Sequence, residues 1–354
     1  MILRNSSLVV AGALVVVVAQ PVWSVRNLGT PPGHRFAVVQ GSLVNAHGTA
    51  VAVGAEHVGT ARARQQAFVW RRGKRRALVY RGATDIDPVA IDAAGDVLGA
   101  AGKRAVLWRG GLPTLLGAFA PQSMSGNGDF VVGWSPGAVA EAFVWHLGTL
   151  TSLPGLGGPG ANAYAVNDAG TVVGSSTLPS GGEHAVVWRG GEPTDLRAPG
   201  GFDSTAYLIS GNGTIFGFAS QGASVAGVLE WKNGALTDLG SFGAPAAQPI
   251  AMNAHGDVLV STETRDQVSI GLRLLRGGKT IPIRALGHQH LYGTGLDDHD
   301  DVIGYGMTTR RGFLWRNGHV TLLPPGLTPV AVAGGWIVAS NGLTDRAVLL
   351  RRRR

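Results

Sequence analysis

Short apolar runs separated by turn-forming clusters recur along this chain. "FVVGW", "TVVGS", "AFVW" and "HAVVW" are apolar without clean alternation, the pattern of strands covered on both faces. The clearest unit, residues 164–201, reads "YAVNDAGTVVGSSTLPSGGEHAVVWRGGEPTDLRAPGG". Its first hairpin is "AYAV", turn "NDAG", then "TVVGSS"; its second is "HAVVW", turn "RGG", then "EPTDL". Four strands in about 40 residues is the size of one propeller blade.

The tryptophan of the third strand recurs as Trp70, Trp108, Trp145, Trp188, Trp231 and Trp315, with Leu275 and Leu350 in the equivalent places. A glycine follows three residues later at Gly73, Gly111, Gly148, Gly191, Gly234, Gly278 and Gly318. In this turn "RNGH" and "KNGA" are type I′ sequences, which need positive φ where Asn and Gly stand. The first turn ends on Gly48, Gly95, Gly128, Gly170, Gly213 and Gly256, and on Asp300 in the seventh copy. That suits a type I turn closed by a left-handed residue. Eight units are marked, and the eighth stops after its third strand. Its missing strand has a counterpart at the other end of the chain, where "VRNLG" at residues 25–29 looks like "LTDLG" at residues 236–240. The expectation is an all-β, eight-bladed β-propeller with four-stranded antiparallel blades, the last closed by an N-terminal strand. An open solenoid would need polar capping units at both ends. A two-sheet sandwich would show clean alternation.

The units resemble the HAF repeat family, whose members are bacterial repeat proteins assigned to the extracellular space. The matching pieces are "YAVNDAGTVVGSS", "HAVVW" and "LTDLGSFG", and "QAFVW", "EAFVW" and "RGFLW" vary the His-Ala-Phe motif. The resemblance covers most of residues 25–350. It implies secretion and repeats, and no catalytic residues.

The N-terminus reads as a secretory signal peptide over residues 1–24. Arg4 supplies a positive region, residues 8–19 an apolar stretch, and Val17 with Ala19 a small-residue cleavage site, Val22 with Ser24 being the second choice. Those 12 apolar residues are too few to span a bilayer comfortably. The plan is therefore a leader, a single propeller over residues 25–350 and a basic tail at residues 351–354. No transmembrane span is expected once the leader is removed, and secretion would end in the periplasm or outside the cell. With 55 glycines but no Gly-x-y period, collagen is excluded, and 45% hydrophobic residues exclude a disordered chain. No cysteine is present, so disulfides, thiolate metal sites and cysteine nucleophiles are excluded.

The net charge of +8 is partly local, in Arg71, Arg72, Lys74, Arg75, Arg76 and the tail. Such runs are ordinarily solvated turns or frayed ends; the sharper reading is an anchor to acidic lipid, polysaccharide or nucleic acid. No aromatic residue interleaves them, so no specific nucleic-acid partner is implied.

Strand order puts variable loops at one end of the ring and tight hairpin turns at the other. The variable loops carry Arg62, Arg64, Arg104, Arg265, Arg310 and Arg311, among carboxylates such as Glu56, Glu141 and Glu183. They are either an ordinary mixed-charge surface or an arginine-bearing face for an acidic glycan or another envelope component. The hairpin end carries aspartates near the axis and arginines at the rim. There "DDHDD", with Asp297, Asp298, Asp300 and Asp301, is either Asx turn chemistry or a calcium site. "HQH", His288 and His290, lacks a third ligand, and "GGKT" at residues 277–280 lacks the first glycine of a phosphate-binding loop. No G-x-S-x-G or H-E-x-x-H motif occurs. No cofactor is implied, apart from calcium at "DDHDD". The reading is a secreted non-catalytic binding or scaffold module; the alternative is a secreted propeller hydrolase or lyase acting on a glycan or ester.

Overall fold

The computed structural model describes residues 23–30, 38–56, 64–135, 137, 139–221, 224–264, 266, 268–285, 287 and 290–352. Most of the expected leader lies outside these residues, as do Arg62, Arg265, His288, Arg353 and Arg354. Among the described residues no helix is long and apolar enough to cross a membrane.

The described strands form eight four-stranded antiparallel sheets. Blades one to seven occupy residues 38–77, 86–117, 120–153, 161–195, 203–240, 246–283 and 291–322, each with its strands in sequence order. Blade eight takes residues 327–352 and the N-terminal strand Trp23–Asn27. That strand pairs antiparallel with Arg346–Arg352, Ser24 opposite Arg351 and Asn27 opposite Val348. The completing strand expected from residue 25 is thus present and begins two residues earlier, so it takes in Trp23 and Ser24 of the expected 1–24 leader and is left whole only by cleavage at the first-choice site, after Ala19. Arg351 and Arg352, read as part of a basic tail, belong to this sheet. Arg351 lies 4.6 Å over the Trp336 ring, so its stem and charge are both engaged.

Each first strand touches the first strands of both neighbouring blades, and Leu327–Ala333 touches Val38–Val44, so the cycle closes around an axis. The register confirms the repeat. Ala50, Val97, Val131, Val172, Ile215 and Val302 of the second strands face the six tryptophans, and Val258 and Ile337 face Leu275 and Leu350. The hydrophobic clusters straddle blade junctions: Val132 and Ala142 of blade three pack with Ala163, Val186 and Trp188 of blade four. The indole N–H of Trp188 donates to Pro154 O at 2.7 Å, and that of Trp231 to Leu196 O at 2.9 Å, each just after the last strand of the preceding blade. Every first strand also carries a β-bulge at its middle, as between Ala163 and Ala165 or between Ala206 and Leu208. The bulge drives a carbonyl toward the second strand. A Cβ at Gly174 would sit 1.8 Å from Asn162 O, which explains the glycine of "TVVGSS".

The first hairpin turns stitch the ring together. Asn45, Asp92, Ser125, Asn167, Ser210, Asn253 and Asp297 open these turns in blades one to seven, and all seven are buried. Asn45 Oδ1 accepts from His47 N at 3.1 Å and Thr49 N at 3.0 Å, closing an Asx turn. Its Nδ2 donates across the junction to Asp92 O at 2.9 Å, and Asn167 Nδ2 does the same to Ser210 O at 3.1 Å. Asp92 accepts the Gly95 and Asp96 amides at 2.8 Å but has no N–H to pass on. Burial pushes its carboxyl above the usual carboxylate range, and the Asp96 charge adds to this against the pull of those amides.

Leu28, fully buried after the N-terminal strand, joins Val39, Phe68 and Trp70 of blade one to Val338 and Leu349 of blade eight. Leu28→Ala is expected to cost about 3 kcal/mol in urea unfolding, whereas Val25→Ala, at a side chain 47% exposed, should cost under about 0.5 kcal/mol. Because Asp92 holds its proton more tightly folded than unfolded, stability falls as pH rises from the ordinary carboxylate range through its folded value. Asp92→Asn, the residue native to blades one, four and six, should flatten that fall and add about 1 kcal/mol at neutral pH; melting curves across pH check both effects.

Candidate functional site

Chain direction fixes two ends. The connections from second to third strands and from each blade to the next gather at the loop end, and both hairpins of every blade at the turn end. Arg64 opens the third strand of blade one (Arg64–Arg71) and Arg104 that of blade two (Arg104–Arg109). Arg310 and Arg311 lie between Val302–Gly306 and Gly312–Arg316 of blade seven. The four share the loop end but stand on three blades. Arg104, Arg310 and Arg311 are exposed, and among the described residues their side chains make no hydrogen bond or ion pair.

Blade seven builds the fullest arrangement at this end. Tyr292 pairs with Tyr305 across the first two strands, their ring centroids 5.3 Å apart and tilted by 30°. Tyr292 is 47% exposed and Met307 38%. The loop beside them is closed by Gly306 N to Arg311 O at 3.0 Å, Arg310 N to Gly306 O at 2.8 Å and Met307 N to His290 O at 2.9 Å. Burial raises the Tyr305 hydroxyl and Tyr292 adds to it, while the Arg310 charge pulls it down, so Arg310 is within electrostatic reach of the pair.

Solvent reaches a first strand only along the axis, because neighbouring blades cover its faces and its own second strand one edge. Gln40, Asp87, Gln122, Tyr207 and Tyr292 are exposed there, giving a channel wall of amides, phenols and a carboxylate. Tyr164 packs against Tyr207 with centroids 5.4 Å apart, its hydroxyl raised by burial. Four of the five tyrosines of the chain thus stand on first or second strands, a concentration the repeat alone does not require.

At the turn end the aspartates hold blades together. Asp297 Oδ1 accepts from His299 N at 2.9 Å and Asp301 N at 3.1 Å, and its Oδ2 from Gly335 N of blade eight at 3.0 Å. Asp298 Oδ1 accepts from Ala254 N of blade six at 2.7 Å. Asp300, at φ +59°, takes Asn253 Nδ2 and Arg276 Nη1, both at 2.9 Å. Asp301, buried, pairs with Arg316 through two guanidinium nitrogens, and that bond raises the Arg316 pKa. Of the two readings of "DDHDD", the Asx-turn one describes the bonds present: each of the four carboxylates answers protein donors. Among the described residues no group of three or more histidines and carboxylates converges on a metal position. At the rim Arg109, Arg276 and Arg316 reach Asp96, Asp300 and Asp301.

Three cavities also lie at the turn end, one of them against the basic run of blade one. One of about 360 Å³ separates blades one and two, lined by Arg71, Arg72, Lys74, Arg76, Asp96 and Trp108 among others. Equivalent clefts of about 690 Å³ and 270 Å³ separate blades four and five and blades five and six. Each forms where the second hairpin of one blade faces the first hairpin of the next. The available signal was the basic run of blade one lying one repeat before "DAAG".

No protein-family model matches the chain, and no curated sequence matches it. Solved structures do. The β-propeller domain of the Trilobed protease from Pyrococcus furiosus is similar at 10% identity and a TM-score of 0.51, over 90% of this chain and 97% of that one. A prolyl endopeptidase is similar at 14% identity and a TM-score of 0.54, over 86% of this chain and 55% of the enzyme. Acylaminoacyl peptidase from Pyrococcus horikoshii is similar at 13% identity and a TM-score of 0.53, over 83% of this chain and 55% of that one. What the chain shares with these proteins is the propeller fold.

Proposed function

We propose that this chain is a secreted, non-catalytic binding module of HAF-repeat type, which takes an acidic glycan at the loop end of blade seven. The observation that carries the reading is the Tyr292–Tyr305 pair, with Tyr292 exposed, Arg310 in electrostatic reach and the exposed Arg311 next to it in the chain. A sugar ring has an apolar C–H face that packs on a phenol, and a uronate carboxylate suits a guanidinium fork. The hydrogen-bonded loop at residues 306–311 holds the arginines in place before the ligand arrives, which lowers the ordering cost of binding. Secretion is supported by the leader-type N-terminal segment and by the extracellular character of the repeat family it resembles. A catalytic reading needs a converging acid and base, whereas the aspartates of the turn end are committed to backbone amides, Asn253 and arginines.

Affinity electrophoresis and calorimetry with polygalacturonate test the reading. Tyr292→Ala and the pair Arg310→Glu, Arg311→Glu should each weaken binding about tenfold or more with an unchanged melting temperature. Arg104→Glu, on blade two, should matter only for polymers long enough to cross several blades. Unchanged affinity in the blade-seven variants overturns the site. Depolymerisation by the wild-type protein, abolished by one Asp→Ala change, would replace binding with the hydrolase or lyase reading.

A further inference from the structure

We propose a second ligand site, at the opposite end and independent of the first: the cleft between blades one and two binds a phosphate monoester carried on an apolar group. The cleft measures about 360 Å³, within the ordinary range for a small-ligand site. Its wall presents Arg71, Arg72, Lys74 and Arg76 against one carboxylate, Asp96, and its floor is Val69, Leu78 and Trp108. The sister clefts share the position but not the charge. Between blades four and five two arginines face Asp195, and between blades five and six three cations face Glu230 and Asp257.

The cations of the first cleft are also free to act. Arg71, Arg72 and Lys74 have no protein partner among the described residues. Asp96 is already answered by its own blade, through Gly110 N at 3.0 Å and Arg109 Nε at 3.8 Å. Arg76 donates to Gly110 O at 2.5 Å and crosses Gly111, where a Cβ would come within 2.6 Å of its guanidinium. That contact fixes one wall of the cleft and aligns blade one with blade two. Three unpaired cations around an apolar floor suit a dianion with an apolar body better than a lone carboxylate, because a doubly charged phosphate can answer several of them at once.

Backbone strain is a second observation. Arg72 holds φ +48°, in the turn position where blades three, five and seven place Leu147, Asn233 and Asn317 at φ +45°, +52° and +49°. Asparagine tolerates that conformation better than arginine does. Leu147 shows that the turn also accepts a long side chain, so it is the place of Arg72 on the cleft wall, together with this strain, that points to work done by its charge.

Phosphate monoesters occur both free and as lipid headgroups, and two probes separate these sources. Calorimetry uses phenyl phosphate, and flotation uses phosphatidylcholine vesicles with or without phosphatidic acid. Binding of either probe is expected: phenyl phosphate indicates a soluble ligand, and binding only to phosphatidic acid vesicles a lipid one. Lys74→Glu should weaken binding roughly tenfold. Arg72→Asn should weaken it as well while leaving the melting temperature unchanged or higher, a combination that a merely structural arginine would not give. Arg310→Glu should leave this binding intact, which keeps it separate from the glycan site. No binding of either probe at low salt, or full affinity in both cleft variants, overturns the proposal.

Discussion

A blade of this chain is apolar on both faces and cannot bury itself. Val132, Ala142, Val186 and Trp188 are covered only because a neighbouring blade lies against them, and the same holds at every junction around the ring. That requirement makes closure the governing constraint. A row of such sheets would leave two apolar faces in water; a ring leaves none. The strand Trp23–Asn27 meets the constraint by joining the last sheet, and Leu28 then seals blade eight to blade one. Each further feature sits on that frame: the bulged first strands around the axis, the Asx turns that bond one blade to the next, and the clefts left between hairpins.

Closure by repetition also shapes function. Three junctions carry clefts in the same place between hairpins, and every first strand takes the same place on the channel, so these sites differ mainly in their side chains. Blade one fills its second hairpin with Arg71, Arg72 and Lys74, where blade five has Lys232, Asn233 and Ala235. Blade seven sets tyrosines on its first two strands. The scaffold stays constant while one loop and one turn become distinct, an economical route to specialised surfaces on a rigid frame.

The fold was legible in the sequence because its signals are local. Trp188 with Gly191, or Asn167 with Gly170, report turn chemistry within a few residues, and their recurrence counts the blades. The completing strand was legible because "VRNLG" matches "LTDLG". The bulges were not legible, since they depend on pairing between strands, although the glycine at Gly174 marked one of them. The sites were less legible because they are made between repeats. The spacing of "DDHDD" does not reveal that Ala254, Asn253 and Gly335 supply its donors, so the sequence left turn chemistry and a calcium site side by side. Arg351 and Arg352 looked like a tail because their strand partner lies at the other end of the chain. Of the loop-end arginines, Arg310 and Arg311 gain meaning only beside Tyr292 and Tyr305, a pairing set by sheet register.

Closure can be measured without reference to any ligand. The chain has no cysteine, so the double variant Ser24→Cys, Arg351→Cys carries a single thiol pair at residues that face each other across the closing sheet. Mild oxidation of the purified monomer should join them in one intramolecular disulfide, seen by peptide mass spectrometry, and reduction should lower the melting temperature. Two free thiols in the folded monomer, or bridges formed only between molecules, would contradict a ring closed by its first strand.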